Sequence, residues 1–295
     1  MKLVRFLLLL IRQGSFRLKR IDFDDARNRI LDSALLPVPV PAKRKDSALK
    51  TFLVGTSLGY SLLANLAYLK NARRMNAMYF ISDSHQVIYI RMLKCASTSM
   101  LREFLRLVDN RLSDSHFSDE QLDVVSFYYE KKVIRKGQDR YKKFALVRDP
   151  FQRIVSVYLD LFDPAAATFT YSAYWFGILK ANMSFKEFIK TIDQVPMSLL
   201  GPHFSPQSYI LKMASAVEDI VVFRLEKDED SLEKFLQPYG MCLPHLNKHP
   251  TSYDYRSYYD AETLAIVERL YGGDVKQFGY EDDYKLLQQF VRHHE

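Results

Sequence analysis

The chain is poor in the residues that build special scaffolds. Among 295 residues it has two cysteines, Cys95 and Cys242, which excludes a disulfide-dense secreted fold. Ten glycines and eleven prolines exclude collagenous and low-complexity chains. There is no CxxC pair and no HExxH, so the patterns of a structural or catalytic zinc site are missing. The GxxxxGK[ST] signature of a Walker A phosphate loop is missing too. No repeat recurs at a fixed period.

What is there reads as an ordinary globular protein. Hydrophobic residues make up 48% and charged residues 26%, which excludes wholesale disorder. The length suits one large domain or two small ones, with room for a sizeable core. Twenty Phe and nineteen Tyr against a single Trp predict a thick aromatic core. The net charge of +7 fits an anionic ligand, a nucleic acid or a membrane surface, without choosing among them.

The first twenty residues carry an apolar run, Phe6–Ile11, too short for the roughly 20 residues a span needs. Lys2 and Arg5 precede it, and Arg12, Arg17, Lys19 and Arg20 follow. The segment is read as an amphipathic helix docked on the domain, with peripheral contact to an anionic membrane surface as the alternative. A second stretch, Thr51–Leu69, is uncharged and long enough to span. Its Gly, Ser, Asn and Tyr content predicts a helix largely buried in protein. Between the two, Pro37, Pro39 and Pro41 impose extended backbone and mark a linker. Residues 1–80 are therefore expected to form a helical N-terminal extension, and 81–295 the main domain.

In the main domain, QVIYIRML at Gln86–Leu93 reads as a buried strand, KCASTS as a turn and MLREFLRLV as a helix. The order recurs: strand Phe144–Val147, turn RDP, then a helix with Pro150 in its first turn, where the missing N–H costs nothing. IVVFRL at Ile220–Leu225 predicts a third strand, followed by the helical DSLEKFLQPYG. Ser184 and Glu187 have capping-box spacing. Alternating strands and helices predict an α/β domain with a mainly parallel sheet. Ligands of such sheets bind beyond the strands' carboxyl ends.

Two turns at that edge attract attention. Lys94–Ser99 opens a helix, so its N–H groups and the helix dipole favour an anion. Lys94 adds a charge, and Ser97, Thr98 and Ser99 add hydroxyls. The competing reading is a plain capped helix start with Lys94 in water. Cys95 could be a low-pKa nucleophile, but a small buried residue closing the turn is preferred, because no signature pairs it with a base. In the second turn Arg148 sits at a strand end, and Arg153 and Ser156 are three apart on one helix face. Two arginines and a hydroxyl could grip a second phosphate. Asp149 could cap the helix or orient Arg148.

KCASTS after a strand, followed about fifty residues later by VRDPFxRxxSxY, resembles the sulfotransferase family 2 pattern. That family includes carbohydrate sulfotransferases that use 3′-phosphoadenosine 5′-phosphosulfate (PAPS). The resemblance implies a P-loop-like PAPS-binding sulfotransferase fold over roughly 86–280. It implies that Lys94, Cys95, Ala96, Ser97, Thr98 and Ser99 hold the 5′-phosphosulfate, and that Arg148 and Ser156, with Arg153 as a further candidate, hold the 3′-phosphate. Pro202–Gln207, PHFSPQ, is similar to the family's His-Trp-x-Pro-Gln segment, with Phe204 in place of Trp. Leu246-Asn247-Lys248 resembles its late Leu-Asn segment and puts Asn247 near the donor.

Sulfuryl transfer needs positioned cations for the leaving phosphate oxygen and a base for the acceptor hydroxyl. Lys94 suits the first task. His203 is the first choice for the second, against a purely structural histidine in a Pro-bounded loop. No metal is called for. The implied acceptor is a sugar hydroxyl on a glycan or glycolipid, with no nucleic-acid partner. Pro164–Gly177, which contains Trp175, could stack a sugar ring; packing in the core is the preferred reading. Asn182-Met183-Ser184 is a formal glycosylation sequon. The expected setting is cytoplasmic, with or without peripheral membrane contact through the N-terminal segment, and the Golgi membrane, facing the lumen, is the alternative. Two competing functions remain. A phosphate-loop kinase or another nucleotide-dependent transferase lacks its Walker A motif. A non-catalytic basic membrane- or nucleic-acid-binding module leaves two anion-suited turns unexplained.

Overall fold

A computed structural model of the chain describes residues 77–109, 133–162, 183–214, 219–242 and 253–294, with single residues and short pieces between them. The N-terminal segments, Pro164–Gly177, Asn182 and Leu246–Lys248 lie outside the described residues. Four strands form one sheet in the order β1-β2-β3-β4. They are β1 (Tyr79–Ser82), β2 (Val87–Ile90), β3 (Lys142–Val147) and β4 (Ile220–Arg224). β2 pairs parallel with β3, and β3 with β4, while β1 pairs antiparallel with β2. The sheet is thus mixed and mainly parallel, in an α/β domain. β1 escaped the sequence reading because its four residues, YFIS, are too few for a period. β2 is shorter than expected, since the chain leaves the ladder after Ile90 to enter the turn.

Each parallel strand feeds a helix. β2 leads to α1 (Ser97–Val108) and β3 to α2 (Pro150–Phe162). α3 (Phe185–Gln194) and α4 (Gln207–Met213) precede β4, and α5 (Glu229–Leu236), α6 (Ala261–Phe278) and α7 (Glu281–His294) follow it. The predicted capping box starts α3: Glu187 N–H donates to Ser184 Oγ at 3.3 Å, and Ser184 N–H donates to Glu187 Oε2 at 2.8 Å. α6 starts the same way on Asp260 and Thr263 and ends at Gly279, whose φ of 70° stops the helix.

β2 and all of β3 after Lys142 are buried, which is why both read as unbroken apolar runs rather than alternating ones. The pairing register lines up Phe80, Tyr89 and Phe144 across three strands. The Phe80 and Tyr89 rings are tilted at 6.3 Å and those of Tyr89 and Phe144 stack at 5.2 Å, with Phe104 of α1 and Phe235 of α5 closing on Phe144. Cross-strand aromatic pairs of this kind fix register as well as bury area. α6 packs against α2, α3, α4 and α7. Among the described residues no helix is long and apolar enough to cross a membrane.

Candidate active site

β2 and β3 are parallel neighbours, so the turns after them leave the sheet at the same edge. The first turn is made without glycine. Lys94 and Ala96 both take left-handed backbone, with φ of 66° and 50°. A side chain in that region costs on the order of 1 kcal/mol, and such residues gather at ligand clamps. The second residue is the N-cap of α1, and no side chain caps that helix. α3 and α6, by contrast, are capped by Ser184 and Asp260. The amides at the start of α1, with the hydroxyls of Ser97, Thr98 and Ser99, therefore stand ready for an anion. Ser97 is buried, and Thr98 and Ser99 are partly exposed.

Lys94 projects from this turn to Asp160 of α2, Nζ to Oδ1 at 2.9 Å. Cys95 turns the other way. It is fully buried, and its Sγ donates to Gln207 Oε1 at 3.0 Å. Burial pushes its thiol up to about 12, so it is not a nucleophile at neutral pH. Its contribution to an anion site is confined to backbone.

The second turn is held by its acid. Asp149 Oδ1 accepts from the N–H groups of Phe151 at 2.7 Å and Gln152 at 3.4 Å, so Asp149 caps α2, with Pro150 in the first helical position. Its carboxyl is pushed up to about 7, chiefly by burial and then by Glu226, while the bonds from Phe151 and Gln152 pull the other way. Arg148 is partly exposed. Its Nε lies 3.7 Å from Glu226 Oε1, and one terminal nitrogen reaches Gln152 Oε1 at 3.5 Å. Glu226 also accepts from the Asp149 N–H at 3.2 Å and from the Tyr280 hydroxyl at 2.8 Å. Ser156 is half-buried on α2, on the same face as Asp160 by helical spacing.

Arg153 departs from its expected role as a phosphate ligand. It is 1% exposed, and its guanidinium is spent on backbone carbonyls. Nε donates to Leu93 O at 3.0 Å, one terminal nitrogen to Ser205 O at 3.0 Å, and the other to Pro202 O at 2.9 Å and His203 O at 3.3 Å. It is a clamp between the end of β2, α2 and the 202–205 turn. A buried guanidinium without a carboxylate contact still projects positive potential, and it acts on both Cys95 and His203.

His203 is partly buried in that turn. Its pKa is pushed down to about 3, first by burial and then by the charges of Lys94, Arg153 and Arg91. The imidazole is therefore neutral at pH 7, but its basicity lies well below that of an ordinary histidine. The structure brings Lys94 and His203 into one electrostatic neighbourhood. Asn247 lies outside the described residues.

Two residues that tie the site together were missed by the sequence reading. Gln207, fully buried, joins both turns. Its Oε1 accepts from Arg148 N–H at 2.9 Å as well as from Cys95, and its Nε2 donates to Arg148 O at 2.8 Å. Asp274 of α6 then caps α4 from outside, accepting from Gln207 N–H and Ser208 N–H, each at 2.8 Å. Gln207 belonged to the quoted PHFSPQ segment, which was its only signal. Asp274 had none beyond being an acid inside an apolar helix. Among the described residues, no group of three or more His, Cys, Asp or Glu side chains could hold a metal ion.

Comparison with known families matches residues 77–281 to a model described as the sulfotransferase family. Comparison with curated proteins and with solved structures finds no match.

Proposed function

The chain belongs to the sulfotransferase family, and we propose that it transfers a sulfuryl group from PAPS to a hydroxyl of a carbohydrate or glycolipid acceptor. The observation that carries this reading is the pair of cation-bearing turns at one sheet edge, bolted to each other through Gln207. Two anion-suited turns suit a ligand with phosphate at two ends. The fit is chemical as well: uncapped helix amides, three hydroxyls and Lys94 at one turn, Arg148 and Ser156 at the other.

In this reading the α1 amides and Lys94 hold the 5′ end, and Arg148 with Ser156 holds the 3′-phosphate. The acceptor oxygen forms its bond to sulfur as the bond from sulfur to the phosphate oxygen breaks. Lys94 meets the charge that grows on that oxygen, an interaction stronger in the transition state than before it. His203 takes the acceptor proton, and the negative charge of the bound donor beside Lys94 offsets the burial and cations that otherwise lower its basicity. The Asn247 segment is proposed to complete the donor pocket. A cytoplasmic setting with peripheral membrane contact through residues 1–20 is part of the same proposal.

A thermal-shift titration tests the donor. Adenosine 3′,5′-bisphosphate should stabilise the protein in proportion to its occupancy, and ATP with magnesium should not. Stabilisation by ATP with magnesium alone would favour the kinase reading, and by neither the non-catalytic one. Arg148→Ala should weaken bisphosphate binding by roughly 1.5–3 kcal/mol, the worth of a charged hydrogen bond. Binding of adenosine 5′-phosphate, which lacks the 3′ group, should change far less.

A further inference from the structure

We propose that Asp160 is a positioning residue that holds Lys94 by an ion pair and competes with the donor for it; this inference rests on the proposed donor site. Lys94 Nζ and Asp160 Oδ1 lie 2.9 Å apart, with 23% and 43% of the two side chains exposed. The contact spans two elements, the turn after β2 and the last turn of α2. Asp160 is badly placed for its own helix. It sits two residues from the end at Phe162, where unpaired carbonyls make the helix end negative and favour a cation, and that last turn carries no basic residue. Helix stability therefore does not explain a carboxylate there; the ammonium across the gap does. A carboxylate inside a site built for phosphates also repels them unless its charge is compensated. The Lys94 backbone is fixed in left-handed geometry, which narrows the directions its side chain can take from the turn.

The consequence is an exchange of anions. Before the donor binds, Asp160 supplies the anion that a donor oxygen would supply to Lys94, keeping the ammonium on the α2 side of the turn. The donor takes the ammonium over. When the bisphosphate product leaves, Asp160 recovers it, which favours release. Asp160 thus weakens product binding while pre-aiming the lysine.

A double-mutant cycle on bisphosphate affinity, measured by calorimetry on the full chain, tests this. Asp160→Asn should bind about three- to fivefold more tightly than the parent, the upper scale of a partly exposed ion pair. Asp160→Glu should stay within about twofold of the parent. In a Lys94→Ala background, Asp160→Asn should change affinity by less than about twofold. Steady-state kinetics should show stronger product inhibition by the bisphosphate in Asp160→Asn, by a similar factor, which a merely structural carboxylate would not produce. Unchanged or weaker binding in Asp160→Asn overturns the proposal. Equal tightening with and without Lys94 overturns it too, because the carboxylate would then act as a general repulsive charge. If the parent itself fails to bind the bisphosphate, the donor reading fails first and this inference with it.

Discussion

Arg153 offers the sharpest check on the architecture of the site, because a phosphate ligand and an internal clamp respond oppositely to its loss. Consider Arg153→Leu, which keeps an apolar stem and removes the guanidinium. Four backbone carbonyls, those of Leu93, Pro202, His203 and Ser205, lose their donor. Each buried acceptor left unpaired costs about 1–3 kcal/mol. The turn relaxes in part and water can reach the His203 end, so the lower bound for each is the better guide, and the sum is about 3–5 kcal/mol. That is a large share of the 5–15 kcal/mol by which such domains are stable. For a domain of this size each kcal/mol moves the Tm by about 2–4 °C, giving a fall of about 6–20 °C. Arg153→Lys keeps the charge but not the planar fork, so it should recover less than half of the loss. The assay is urea and thermal unfolding at pH 7.5, with bisphosphate calorimetry on the folded fraction. Arg153→Leu within about 1 kcal/mol of the parent in stability, yet unable to bind the bisphosphate, would refute the clamp and restore Arg153 as a ligand.

Three further outcomes are expected. Lys94→Ala should lower kcat by about 10²-fold or more with the fold intact by circular dichroism; turnover within a few-fold of the parent would remove Lys94 from the chemistry. His203→Ala should lower kcat by about 10²–10⁴-fold with donor affinity nearly unchanged, His203→Gln should rescue little, and the parent's kcat/KM should fall only below about pH 4, since the His203 imidazole is held at about 3 before substrate binds. The bound donor's negative charge should move the limb in kcat to higher pH, so coincident limbs in the two profiles would tell against His203. Asp149, with its carboxyl at about 7 when folded and near 3.8 when unfolded, contributes stability below pH 3.8 that is lost as pH rises to 7. Asp149→Asn keeps the cap and removes that loss, so its stability relative to the parent should rise by about 2–3 kcal/mol between pH 5 and pH 8, at ~1.4 kcal/mol per tenfold change in the acid constant; a flat difference in urea unfolding would mean Asp149 is not buried as a free acid.

Local signals carried most of the fold. The runs VIYI and FALV are apolar throughout because both strands are covered on two sides, and Pro150 and the Ser184–Glu187 pair mark helix starts through chemistry confined to one turn. β1 was illegible because its pairing with β2 is set by the neighbour rather than by its own four residues. In the site, the two turns were legible because each lies within a strand–turn–helix unit. The direction of each side chain was not. Arg153 and Ser156 share a helix face at the level of spacing, yet one points inward to carbonyls and the other stays half-buried. Phe151, Ile154, Val155 and Val157, the apolar residues flanking Arg153 in the sequence, are all buried, and that density was the available hint. Asp160, Gln207 and Asp274 act across separations of 66, 59 and 67 residues, to Lys94, Arg148 and Gln207. No window along the chain contains both ends of such a contact.

The external cap that Asp274 places on α4 also sets when the site can exist during synthesis. A nascent chain emerges at roughly 5–20 residues per second, amino end first. Lys94 and Arg148 leave the ribosome more than a hundred residues before Asp274. Until α6 is out and docked, the amides of Gln207 and Ser208 lack their carboxylate, and Gln207 lacks the anchor that holds it between the two turns. On the proposed reading, a donor that needs both turns linked meets the domain only after α6 has docked, so its binding energy slows unfolding rather than speeding assembly.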